Sequence, residues 1–199
     1  MRKGEESRQR IIRCAAELFW SRGYHATGMN DILSLVGLPR GSFYFHFGSK
    51  KELASAVISY YDSVLLDKFR DSAAGRAWPE FIDGVFGLLK GRADSGTFRG
   101  CPFAVMGMEL AVSEPELAAQ YSSALSEVQN LFRSVLLFSG LSPEQADVLA
   151  ERMLFIYQGG VLRTRISGDT GYLQRLKSAM KDTFTQYRAL CCVETGGSI

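Results

Sequence analysis

Between Thr27 and Leu53 the chain reads TGMNDILSLVGLPRGSFYFHFGSKKEL, and the residues able to do chemistry there are Arg40, Gly41, Ser42, Tyr44 and Lys50. An arginine followed by a glycine near a helix start suits one task. The glycine lets backbone approach a large partner closely, and the guanidinium presents a planar fork of donors. DNA offers both of its targets, phosphate oxygens and the O6/N7 edge of guanine. A bidentate arginine–guanine pair is worth roughly 1–3 kcal/mol of discrimination. Arg40 is a candidate for either target. Lys50 follows Ser49 in the capping spacing Ser49-Lys50-Lys51-Glu52, so it should sit at the positive end of a new helix, a natural seat for a phosphate. Lys51 is expected to be an ordinary solvated charge.

The elements that must position these groups can be read from periodicity. Ile32, Leu35 and Val36 have the three-to-four spacing of one buried helical face, and Gly37 then supplies a residue tolerant of positive φ. Pro39 suits the first position of the next helix, where its missing N–H costs nothing. Phe43 and Phe47 should anchor that helix to the core. Two short helices about a glycine turn form a helix-turn-helix, whose second helix enters the major groove with its early residues at base edges.

The same residues resemble the N-terminal domain of TetR-type transcriptional regulators. The likeness runs through Phe19, Gly23-Tyr24, then Gly37-Leu38-Pro39-Arg40-Gly41-Ser42-Phe43-Tyr44-Phe45-His46-Phe47, and Lys50-Lys51-Glu52-Leu53. Pro39 departs from the pattern, since a serine or threonine cap is commoner there. By this resemblance Thr27 and Tyr44 would touch phosphates. Arg40, Gly41 and Ser42 would face bases or backbone, and His46 and Lys50 would hold the flanking strand. Phosphate contacts position such a domain; base-edge contacts specify sequence.

Charge fits this division of labour. Residues 1–60 carry nine Lys/Arg against five Asp/Glu, and the remainder 14 against 16. Only the N-terminal part is therefore basic, as expected if it alone meets phosphate, with binding that weakens steeply in salt. No apolar run reaches the roughly 18 residues of a membrane span, and MRKGEESRQR lacks the apolar centre of a signal peptide, so a cytoplasmic protein is expected. Cys14, Cys101, Cys191 and Cys192 have no metal-site spacing; thiols are expected, with no metal and no cofactor.

The whole chain reads as all-α, about nine helices: a three-helix reader over 1–50 joined to a larger helical domain over 51–199. The first helix runs from about Glu5 to Arg22. A continuous linking helix runs from Lys50 through Leu53, Val57, Tyr60, Tyr61, Val64 and Leu65 to about Arg70, making 51–70 the link. Ser113-Glu114-Pro115-Glu116 and Ser142-Pro143-Glu144-Gln145 carry cap spacings that place helix starts near Glu114 and Pro143. Cys101-Pro102 opens another helix, and the last two span about Pro143 to Ile166 and Thr170 to Leu190.

The second domain is rich in large apolar side chains. Trp78, Phe81, Phe103, Met106, Tyr121 and Phe155, with Gln158 as a polar partner, are the candidates for an effector pocket, alongside Phe86, Met108, Phe132 and Tyr157. Arg163 could orient an effector or lie at a dimer rim. Gly159 and Gly160, each costing about 1 kcal/mol in a helix relative to alanine, suggest a close helix crossing, a ligand wall or local fraying. By the resemblance, the last two helices pair with their copies in a homodimer, so the operator should be two-fold symmetric.

Cys101, at a helix start with Arg99 nearby and followed by Glu109-Leu110-Ala111, looks more loosely like one branch of the family. It is either a buried packing residue or a thiol that senses oxidants and electrophiles. The expected function is a DNA-binding regulator, a repressor by analogy, released from double-stranded operator DNA by a small apolar or amphipathic effector. The rival is a redox regulator acting through Cys101. An enzyme is the weakest reading, because His25 and His46 are the available histidines and both lie in the reader.

Overall fold

The computed structural model describes residues 3–195, with side chains described for 4–191; the Cys192 side chain, Gly196 and Gly197 lie outside the described residues. Among these residues the chain is all-helical, with no strand. The helices are α1 (Lys3–Arg22), α2 (Met29–Val36), α3 (Arg40–His46), α4 (Lys50–Tyr61), α5 (Asp67–Ala73), α6 (Trp78–Asp94), α7 (Pro102–Leu110), α8 (Pro115–Phe138), α9 (Pro143–Ser167) and α10 (Gly171–Thr195). A π-helical turn, Asp62–Leu66, joins α4 to α5 in one run.

That turn changes the expected linking helix. The apolar pattern predicted a stripe stepping from Tyr61 to Val64 and Leu65. The buried residues are instead Leu53, Val57, Tyr61, Leu66 and Phe69, with Val64 and Leu65 only half-buried. The step of five from Tyr61 to Leu66 is the i→i+5 repeat of the π turn, which rotates the buried face by one residue.

The chain forms two compact units. The first comprises Met1–Leu66 with Pro102–Leu125, and the second Asp67–Cys101 with Ser126–Ile199. In the first, α4 packs on α1 and α7. Tyr61 is fully buried, donates its hydroxyl to the Ala16 carbonyl at 2.8 Å and meets the rings of Trp20 and Phe103 edge-on. Tyr121 similarly donates to the Ala54 carbonyl at 2.8 Å. Burial pushes both phenols above their usual pKa, so they stay neutral donors.

The second unit is built on aromatic edges. Trp78 is fully buried with its ring centroid 5.4 Å from that of Phe132 and 5.6 Å from Phe81, and its indole N–H donates to the Met180 carbonyl. Phe132 continues to Tyr157, and Tyr157 to Phe69. Helix α9 begins as the sequence implies: Ser142 accepts from the Gln145 N–H, and the Gln145 side chain returns to the Ser142 N–H. Where α9 and α10 pack, a Cβ on Gly160 would lie 2.6 Å from Leu176 side-chain carbons, whereas Gly159 faces open space. Gly160 is therefore the close crossing.

The other serine cap is different. Helix α8 begins at Pro115, and the Glu114 carbonyl accepts its first helical bond, from Ala118, so Glu114 holds the cap position. Proline's preference for the first helical position fixes the start, and the Ser113 hydroxyl turns instead to His25 Nε2 at 2.9 Å.

Candidate nucleic-acid interface

Helix α2 is anchored by Ile32, Leu33 and Val36, while Leu35 is 63% exposed. Ile32 and Val36 are buried as expected, and the third member of the face is Leu33 rather than Leu35, since Met29, Ile32, Leu33 and Val36 satisfy the same three-to-four spacing. Asp31 accepts from the Gly28 N–H at 2.7 Å and closes the helix start. At the other end Gly37, at φ 70°, and Leu38 both donate backbone N–H to the Leu33 carbonyl. This left-handed glycine turns the chain toward α3. Arg10 donates to the Val36 carbonyl at 2.7 Å, placing a cation on the negative end of α2.

Pro39 is the residue that precedes α3 rather than its first residue: it is extended, with φ −67° and ψ 153°, and its carbonyl accepts from Ser42. Helix α3 is pinned by Phe43 and Phe47, each 1% exposed. Their spacing of four leaves Arg40, Gly41, Tyr44 and Phe45 on the outer face, all exposed, with Ser42 and His46 half-buried at its margins. His46 Nε2 lies 2.7 Å from the Ser7 hydroxyl of α1, and Arg8 stacks over the Phe47 ring.

Two expected phosphate ligands are engaged within the protein. Thr27 is fully buried and its hydroxyl donates to the Gly23 carbonyl at 2.7 Å, so its task here is to close the turn before α2. Lys50 folds over the Tyr24 ring, Nζ 4.2 Å from its centroid, and donates to the Tyr24 carbonyl at 2.5 Å. Desolvation lowers its pKa, against the pull of Glu109 and Asp31. Ser49 does cap α4 by accepting from Glu52, but the Glu52 carboxylate accepts from Gly48 rather than from Ser49. Lys51 is ion-paired with Glu114 and Glu116 rather than merely solvated.

One residue holding this module escaped the sequence reading. Glu109 of α7 accepts the backbone N–H groups of Tyr24 and His25, each at 2.8 Å. A Cβ on Gly23, at φ 96°, would lie 2.7 Å from that carboxylate, so only glycine permits the approach. Its targets lie 84 and 85 residues away, and no local pattern could have announced them.

The candidate effector residues are divided. Phe103, Met106 and Tyr121 are core of the first unit; Trp78 and Phe81 are core of the second. Phe155 is 66% exposed, and Met108 is exposed too. Gln158 is half-buried on α9, its Nε2 buried without a hydrogen-bond partner. Arg163 stacks on Tyr172 and donates to its hydroxyl. Cys101 is 7% exposed, and Arg99 spends its guanidinium on the Gly96 and Phe98 carbonyls. Burial keeps a thiol from the electropositive, accessible setting of a reactive cysteine. Cys14, Cys101 and Cys191 form no disulfide. Among the described residues no group of three or more His, Cys, Asp or Glu could hold a metal, and no helix is long and apolar enough to cross a membrane.

Residues 11–57 match the profile of bacterial regulatory proteins of the tetR family, and residues 80–179 match the C-terminal domain of LmrA/YxaF-like transcriptional regulators. The transcriptional regulator LmrA of Bacillus subtilis is 25% identical over 182 residues, covering 89% of this chain and 96% of that protein. The uncharacterized regulator YxaF of the same organism is 25% identical over 169 residues, with 82% and 87% covered. A TetR transcriptional regulator from Chloroflexus aurantiacus superposes with a TM-score of 0.76 at 27% identity over 94% of this chain and 98% of that one. With a helix-turn-helix that turns on Gly37 and two matching profiles in sequence order, the chain belongs to the TetR family of DNA-binding transcriptional regulators.

Proposed function

We propose that this regulator is a homodimeric repressor that leaves a two-fold symmetric operator when a small apolar or amphipathic effector binds. The outer face of α3 carries the reading: Arg40, Gly41 and Tyr44 are exposed on a helix that Phe43 and Phe47 fix in place. Arg40 reads a base edge, Ser42, Tyr44 and His46 hold backbone, and Lys50 reaches phosphate once it swings off Tyr24. Residues 1–50 form the DNA-binding domain, 51–70 the link, and 51–199 the effector and dimerisation region. The protein acts in the cytoplasm, where it meets its operator.

Support for the dimer comes from α9. Phe155, Gly159, Leu162 and Ile166 repeat at steps of four, three and four and are all exposed, an apolar stripe with an open glycine at its centre. Such a stripe is what a second copy would cover. Support for an effector that offers a hydrogen-bond acceptor is the unpartnered Gln158 Nε2, since a buried donor left unmade is costly. Cys101, buried in this state, does not favour the redox alternative.

Selection of random duplexes on the purified protein, followed by a salt titration, tests the reading. A two-fold symmetric site whose affinity falls steeply with salt is expected, and Arg40→Ala should cost about 1–3 kcal/mol and relax one position in each half-site. An enriched site without two-fold symmetry would sink the dimer; no enrichment at low salt would sink direct DNA reading by this form.

A further inference from the structure

Phe45 is 81% exposed, although every other phenylalanine of α3 and its flank is buried. Its ring leans edge-on against His46, with centroids 4.9 Å apart, and its edge approaches Gly4 of α1. Helical side chains lean toward the N-terminus, so Phe45 projects over the residue four positions earlier. That residue is Gly41, and a Cβ there would meet nothing within 4 Å. Phe45 and Gly41 thus line one open notch, together with Leu38, Ser42 and His46, on the helix whose outer face also carries Arg40 and Tyr44. Water is a poor occupant for such a notch, since a ring carbon offers it no hydrogen bond.

The geometry points to a thymine C5-methyl as the occupant, making Phe45 and Gly41 a methyl reader in the major groove beside Arg40. Thymine's methyl is the apolar group that the bases display there, and apolar side chains recognise it by contact. The proposal rests on the reading of α3 as the DNA-facing helix. Arg40 and Phe45 then read by complementary means, one by hydrogen bonds and one by exclusion of water from a methyl group.

The test uses a selected operator in which each thymine is replaced singly by uracil, which removes the methyl and keeps the pairing edge. Wild-type protein should lose about fourfold in affinity at one thymine position of each half-site, the value of one buried methyl group. Phe45→Ala, which removes no core packing, should bind thymine and uracil versions of that site equally. Gly41→Ala, which fills the notch while favouring the helix, should also abolish the ratio whatever it does to overall affinity. Operators on which no uracil replacement matters to wild type, or a Phe45→Ala protein that keeps the fourfold ratio, would overturn the methyl reader while leaving DNA binding in place. Failure to recover any operator would instead overturn the DNA-facing assignment and the methyl reader together.

Discussion

The two units hold their helices by different physics. In the first, α2 and α3 are 8 and 7 residues long, too short to be stable alone. They and the turns beside them are pinned by polar groups from elsewhere in the unit: Arg10 on the Val36 carbonyl, Glu109 on the Tyr24 and His25 N–H groups, and Lys50 on the Tyr24 carbonyl. In the second unit, α6, α9 and α10 span 17 to 25 residues and close on the aromatic cluster around Trp78. A reader that must keep its outer face bare cannot bury that face for stability, so side-chain clamps on backbone take over. Long helices that bury a whole face against one another need few such clamps.

The largest effect that would test this contrast lies in the aromatic cluster. Trp78→Ala removes a fully buried ring and its N–H bond to Met180, and should destabilise the second unit by about 3–5 kcal/mol. Urea unfolding followed by far-UV circular dichroism measures it. A loss below about 1 kcal/mol would mean that the cluster is loosely packed and the contrast is overdrawn.

The clamp should give a smaller loss of stability and a larger loss of function. Glu109→Ala leaves two backbone N–H groups without their acceptor at an edge that water can reach, a cost of about 1–2 kcal/mol. Because the freed turn leads directly into α2, on which the placement of α3 depends, the variant should also bind the selected operator more weakly than its stability loss explains. Glu109→Gln keeps one acceptor oxygen and should fall between. Unchanged operator affinity in a folded Glu109→Ala protein would show that the clamp is structural ornament to the reader.

How much of this was legible in sequence depends on the reach of each interaction. Helix ends set by neighbours in sequence, such as the Ser142–Gln145 box and the Gly37 turn, were readable because cap and helix lie within a few residues. Ser113 carried the same spacing, yet Pro115 fixed the helix start two residues later and left the serine to His25. The π turn hid because a step of five between apolar residues looks like noise against a helical repeat. Glu109 hid because its partners lie in a different part of the chain. The candidate reading residues Arg40, Gly41 and Tyr44 were legible from Phe43 and Phe47, whose burial dictates what faces out. The pocket candidates were not, since an apolar residue type is the same in a core, at a pocket wall or, as with Phe155, on an exposed stripe.

The smallest and sharpest test compares two adjacent glycines on α9. Both should cost the isolated helix about 1 kcal/mol relative to alanine, so propensity alone predicts two equal gains on substitution. Packing separates them. Gly160→Ala drives a methyl into Leu176, itself buried, and the strain of overpacking, typically about 1–3 kcal/mol, should cancel the gain or exceed it. Gly159→Ala meets nothing within the chain and should stabilise the monomer by about 0.5–1 kcal/mol. If the stripe of Phe155, Leu162 and Ile166 seats a second copy, that same methyl intrudes on the partner, and sedimentation should show a weaker dimer built from a more stable protomer. Opposite signs for stability and association are hard to obtain in any other way. A Gly159→Ala protein that dimerises as tightly as wild type would place the interface elsewhere and leave the glycine without a packing reason.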